Sequence, residues 1–213
     1  MPLYGRFQGF RNSTDGVGSF PSPERYIDSH IDAAPMAITS VPMVSTMKGG
    51  TPAIIALETA GVEFRVHSFD NDIAPGDHGY GKAAAAALGV DEARVFKTLL
   101  VTLTGGKDRH AVGIVPVSGQ LSLKAIANAV HAKKADMLDA KDAERLTGYV
   151  VGGISPFGQR KRLPTVIDAS CLEHPTIFVS GGKRGLDIEI APVDLIAVLG
   201  ATPADIGSAK GDK

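Results

Sequence analysis

The chain has 213 residues, enough for one domain with a full-size core and spare length for a tail. Hydrophobic residues make up 44%, charged residues 21%, and the formal net charge is −1, so no global field marks a nucleic-acid partner. A polyanion would have to be met by a local patch. The single cysteine, Cys171, excludes a disulfide framework and a cysteine-rich metal site, and no run of about 18 apolar residues is present to span a membrane.

Residues 1–50 carry the stretch MPLYGRFQGFRNSTDGVGSFPSPERY, rich in Gly, Ser and Pro and without a helical or strand period. Such a composition cannot bury enough apolar surface to offset its ordering entropy, so a poorly ordered extension is expected. Met36, Met43 and Met47 stand just before the first helix signal and are candidate translation starts, which mass spectrometry of the native protein would decide. The N-terminus lacks the charged-then-apolar pattern of a secretory signal, and with the lone cysteine the chain reads as cytoplasmic.

Order begins at TPAIIALETAG, where Thr51 is a helix N-cap, Pro52 the first helical residue and Gly61 a left-handed C-terminal residue. VEFRVHSFD alternates Phe64, Val66 and Ser68 against Arg65 and His67 and reads as a strand. NDIAPGDHGYG reads as a loop, and KAAAAALG as a short helix ended by Gly89. RVFKTLLVTLT and HAVGIVPV read as strands around the turn GGKDR. SLKAIANAVHA is a helix capped by Ser122, KADML a strand, and DAKDAERLTG a helix closed by Gly148. PTVIDAS, TIFVS and LDIEIA are three strands, the last two joined by the loop GGKRG, and PVDLIAVLG is a final helix. Hairpins mixed with helical connections predict an α/β class, a single domain over 51–206 with a mixed sheet flanked by helices, and a tail at 207–213.

Chemistry-bearing patterns are few. None of His30, His67, His78, His110, His131 and His174 forms a metal-binding pair, and Asp70, Asp72, Asp77 and His78 lack the spacing of a calcium loop. No metal and no cofactor are expected. GYGKAA, Gly79 to Ala84, matches a loose dinucleotide fingerprint but follows a polar loop rather than a strand, so helix entry and close packing explain its glycines better. GISPF has only the first half of a nucleophile elbow: Phe157 stands where the second glycine belongs, and Pro156 resists the sharp turn. Cys171 lies in the apolar context IDASCLE and reads as structural. Lys97, inside VFKTLLVTL, is costly to bury without a partner or a task, the other reading being a lysine extending from an edge strand to solvent.

The loop VVGGISPFGQRKR is the least ordinary part of the chain. Gly152, Gly153 and Gly158 permit close backbone approach and positive φ, so main-chain N–H groups can converge on an anion or a developing oxyanion. Arg160, Lys161 and Arg162 would add a cationic rim suited to phosphates. SGGKRG, Ser180 to Gly185, repeats the recipe of small residues with two cations, Lys183 and Arg184. The plainer reading of each loop is a turn with solvated charges.

Together TPAIIALETAGVEFRVHSFD, VFKTLLV, GYVVGGISPFGQRKRLPTVID and TIFVSGGKRGLDIEIAPVDLIAVLGA resemble the YbaK family of aminoacyl-tRNA editing domains, most of all its free-standing Cys-tRNA(Pro) deacylases. The resemblance runs in order over about residues 51–206. It implies a single α/β domain around a curved mixed sheet, related to the editing insertion of bacterial prolyl-tRNA synthetases. It implies hydrolysis of the ester joining a wrong amino acid to the 3′ end of tRNA, with tRNA and prolyl-tRNA synthetase as partners. It places the family's lysine on Lys97, its Gly-Gly-x-Ser-Pro loop on Gly152, Gly153, Ile154, Ser155 and Pro156, and its second loop on Ser180, Gly181 and the residues up to Gly185. Phe69 stands where the family usually has tyrosine, which removes a hydroxyl and keeps an aromatic wall. The resemblance further implies that the substrate assists, through its cysteinyl thiol or ribose 2′-hydroxyl, since no general base stands out. The alternative expectation is a non-catalytic binder of tRNA or of a synthetase on the same fold.

Overall fold

The computed structural model describes residues 50–69 and 79–208. The expected N-terminal extension (except Gly50), the loop at 70–78 with its acidic residues, and the last residues of the tail lie outside them.

Helix α1, Pro52–Ala60, starts where the Thr51 side chain accepts from Ile54 N and stops at Gly61, whose φ of 68° costs nothing without a Cβ. Strand β1, Phe64–Ser68, follows. Helix α2, Gly79–Leu88, begins earlier than its sequence suggests: Gly79, Tyr80 and Gly81 are its first turn rather than the end of a loop. Gly81 is there for packing, because a Cβ would fall 2.4 Å from Val117 Cγ1. Strands β2, Val95–Thr104, and β3, His110–Pro116, form the expected hairpin, and β4, Gln120–Leu121, is a short addition. Helix α3, Leu123–Ala129, is capped by Ser122; strand β5, Lys134–Met137, and helix α4, Ala140–Thr147, follow. Strand β6, Thr165–Asp168, precedes a 3-10 turn around Cys171. Strand β7, Ile177–Lys183, runs through most of what reads as the GGKRG loop, with an irregular register between Ser180 and Lys183, and turns at Arg184 and Gly185 into β8, Leu186–Ile190. Helix α5, Pro192–Leu199, ends at Gly200. Two short strands close the chain: β9, Thr202–Ala204, and β10, Gly207–Ser208. Since β10 pairs with β4, regular structure continues past the expected boundary at 206.

The main sheet is eight-stranded, in the order β1-β8-β7-β2-β3-β6-β9, with β5 also paired to β2. It is mixed: β2 with β7, β3 with β6 and β6 with β9 are parallel, and the other pairs antiparallel. It curls as a half-barrel. Side-chain alternation along β2 divides the core. Phe96 and Leu100 join the largest cluster, with Leu57 of α1, Leu195 of α5 and Phe157. Val101 and Leu103 pack with Ile126 of α3, and Val95 packs with Ala85 of α2, Val117 and Phe178.

Candidate active site

Strand β2 has three partners but only two edges. Strand β3 takes one edge from Phe96 to Thr102. The other is shared: β7 pairs at Val95 and Phe96, and β5 at Val101 to Thr104. Between them, around Lys97, Thr98 and Leu99, the neighbouring strands have parted. A cleft of about 430 Å³ opens there, within the size range of small-ligand sites.

Register places the polar lining on one face. Val95 stands opposite Phe178, Ser180 opposite Asp187, and Phe69 N donates to Gly185 O at 2.9 Å, continuing the β1–β8 ladder. By the period of two, Lys97, Ser180, Asp187 and Phe69 therefore share the face that α2 covers, and all four line the cleft. Lys97 is on a central strand, so it does not reach solvent from a sheet edge; its Nζ donates to Gly119 O at 2.6 Å. Asp187 is 7% exposed, and burial pushes its carboxyl up to about 7.

The opposite wall is the loop after α4. Gly152 (φ 85°) and Ile154 line the cleft. The Gly153 N–H donates to Val150 O at 2.9 Å and is committed to the turn, so any oxyanion donors must come from its neighbours. Gly153 packs on the next hairpin instead, where a Cβ would lie 2.9 Å from Lys183 Cα. Ser155 is fully buried, its Oγ accepting from Phe157 N at 3.3 Å. Pro156 and Gly181 are buried as well. Gly153, Ser155, Pro156 and Gly181 are not among the residues lining the cleft; they shape and stack the loops that form its wall.

The expected cations divide. Arg184 lines the cleft, stacked over the Tyr80 ring with its carbon Cζ 4.6 Å from the centroid. Lys183, Arg160, Lys161 and Arg162 are exposed and lie off the cleft wall. Arg160 N–H donates to Thr147 O, and Arg162 Nη2 to Leu199 O at 3.4 Å. Among the described residues, no three His, Cys, Asp or Glu side chains gather as a metal site would. Also among them, no helix is long and apolar enough to cross a membrane. Cys171 is buried, and burial, with Asp168 close by, pushes its thiol up to about 11, far from a reactive thiolate.

Asp187 and Tyr80 were not found by sequence reasoning. In LDIEI the alternation sends Leu186, Ile188 and Ile190 inward, so Asp187 reads as solvent-facing; in the structure it is buried and lines the same cleft as α2. The only signal for Tyr80 was an aromatic residue beside glycines in a presumed loop.

The model of the aminoacyl-tRNA editing domain family matches residues 78–198. The chain belongs to that family. A relative from Enterococcus faecalis, "Putative Cys-tRNA(Pro)/Cys-tRNA(Cys) deacylase EbsC", is 38% identical over 130 residues, 61% of this chain and 78% of its own. A solved structure described as a "putative trans-editing enzyme for prolyl tRNA synthetase" superposes with a TM-score of 0.65 at 24% identity, covering 74% of this chain and 96% of that one. A scaffold protein from computational epitope grafting gives 0.64 at 28% identity, with the same coverage. The editing-domain fold accounts for the curled mixed sheet described above.

Proposed function

We propose that this editing domain acts in trans on mischarged tRNA and removes cysteine from Cys-tRNA(Pro). What supports the reading is that Lys97 and the backbone at Gly152 and Ile154 line one cleft in a member of the aminoacyl-tRNA editing family. An aminoacyl ester is already activated. The site must hold the carbonyl, stabilise its oxyanion and exclude larger acyl groups. In hydrolysis, water oxygen bonds to the ester carbonyl carbon, the bond to the ribose 3′-oxygen breaks, and that oxygen takes up a proton. Backbone donors at Gly152 and Ile154 would each contribute about 3–4 kcal/mol to the oxyanion. Lys97 would leave Gly119 O to polarise the carbonyl or hold the terminal phosphate. The cysteinyl thiol or the 2′-hydroxyl would assist proton transfer.

Phe69 closes the cleft as an aromatic wall without a hydroxyl. Lys183, Arg160, Lys161 and Arg162 are the candidate contacts to the tRNA backbone, and prolyl-tRNA synthetase is the candidate third partner. The need for editing follows from size: a pocket for proline admits the smaller cysteine, because one missing methylene discriminates only about 10–200-fold. The test is deacylation across Cys-, Ala-, Ser- and Pro-charged tRNA(Pro). Hydrolysis of the cysteinyl ester with the prolyl ester spared is expected. Binding without hydrolysis of any of them would move the reading to a non-catalytic tRNA binder.

A further inference from the structure

Arg184 is not posed like a rim cation waiting for phosphate. Its guanidinium carbon sits over the Tyr80 ring, 4.6 Å from the centroid, and its Nε donates to Val151 O at 3.0 Å. Tyr80 is itself seated against Gly152, where a Cβ would fall 2.6 Å from Tyr80 Cδ2. Any other residue at 152 would push the ring, and with it the arginine, out of place. Tyr80, Val151, Gly152 and Arg184 all line the cleft.

The bond to Val151 O has a consequence one atom along the chain. The Val151 carbonyl and the Gly152 N–H belong to the same planar trans peptide and point in opposite directions. Holding the carbonyl on Arg184 fixes the plane of that peptide and the direction of the Gly152 N–H. The preceding peptide is tied as well, since Val151 N donates to Glu144 Oε1 at 2.8 Å. A glycine with φ of 85° would otherwise leave this donor free to rotate.

We propose that Tyr80 and Arg184 are positioning residues: a stacked latch that fixes the 151–152 peptide and so sets the direction of the Gly152 amide. Its kinetic consequence rests on the deacylase reading; its structural consequence does not. Arg184→Lys is the decisive variant. It keeps the charge but loses the guanidinium over the ring and the Nε donor. A phosphate contact would tolerate it and show its loss in KM. The latch predicts instead a kcat lowered about 10- to 100-fold with KM little changed.

Hydrogen exchange of the 150–154 amides in the ligand-free protein gives a readout independent of activity. Exchange should quicken in Arg184→Lys and Tyr80→Ala and stay as in the wild type in Tyr80→Phe, which keeps the ring. Unchanged exchange in Arg184→Lys, or wild-type kcat in that variant, overturns the latch. If Tyr80→Ala does not fold, the exposed Arg184 carries the test. If the wild type deacylates nothing, the proposed function fails while the exchange measurement still decides the latch.

Discussion

The carboxyl of Asp187 ties the site to pH. Burial pushes it up to about 7, whereas in the unfolded chain it ionises near 3.9. Between those values the native state binds more protons than the unfolded state, so this group's contribution to stability falls as pH rises and is lost above its native pKa. Asp187→Asn removes the group that must ionise. Urea unfolding should therefore show the variant gaining on the wild type by more at pH 8 than at pH 5. An equal difference at both pH values would mean that the acid ionises as it would in water. The residue also shows where residue types alone mislead. Its alternation with Leu186 and Ile188 reads as an ordinary solvent face, and only the folded chain, which sets it on the cleft that α2 also lines, shows it buried. Lys97 was legible for the opposite reason: a cation within an apolar strand needs an explanation wherever the strand lies.

At the scale of elements, the loop from Val150 to Arg162 holds its shape by backbone contact. Gly158 has φ of 61°, and a Cβ there would fall 2.3 Å from Pro52 O at the start of α1. Gly61 has nearly the same φ, 68°, with nothing within 4 Å of the added atom. Gly61→Ala should then cost only the left-handed penalty, about 1 kcal/mol. Gly158→Ala adds a backbone clash and should cost about 2–4 kcal/mol, seen as a clearly larger drop in Tm. Equal losses would contradict the packing of the loop on α1.

Helices α1, α3 and α4 were legible because Thr51, Ser122 and Asp139 accept backbone N–H bonds at their starts and α1 and α4 end in left-handed glycines. Strands β4, β9 and β10 were not. They are two or three residues long and exist only through partners distant in sequence. The extension of β7 through Gly181 and Gly182 was hidden because glycines signal turns, while here they let Leu186 and Tyr149 pack close.

For the whole molecule, the cleft is a product of topology. Neither β2 nor any loop contains it; it exists because β7 and β5 share one edge of β2 and part beside Lys97, with α2 across the opening. No local pattern in the chain encodes that parting. The mixed sheet followed from counting hairpins and helical connections. Lys97 and the two glycine-rich loops stood out by residue type, and the family resemblance is what joined them into one expected site.

The account turns on Lys97 facing a reactive ester in this cleft. Single-turnover hydrolysis of Cys-tRNA(Pro), by the wild type and by Lys97→Ala, with melting followed in parallel, tests it most directly. The wild type should release cysteine, and the variant, folded to the same Tm within a few degrees, should be slower by about 100-fold or more. Full-rate hydrolysis by Lys97→Ala would contradict it.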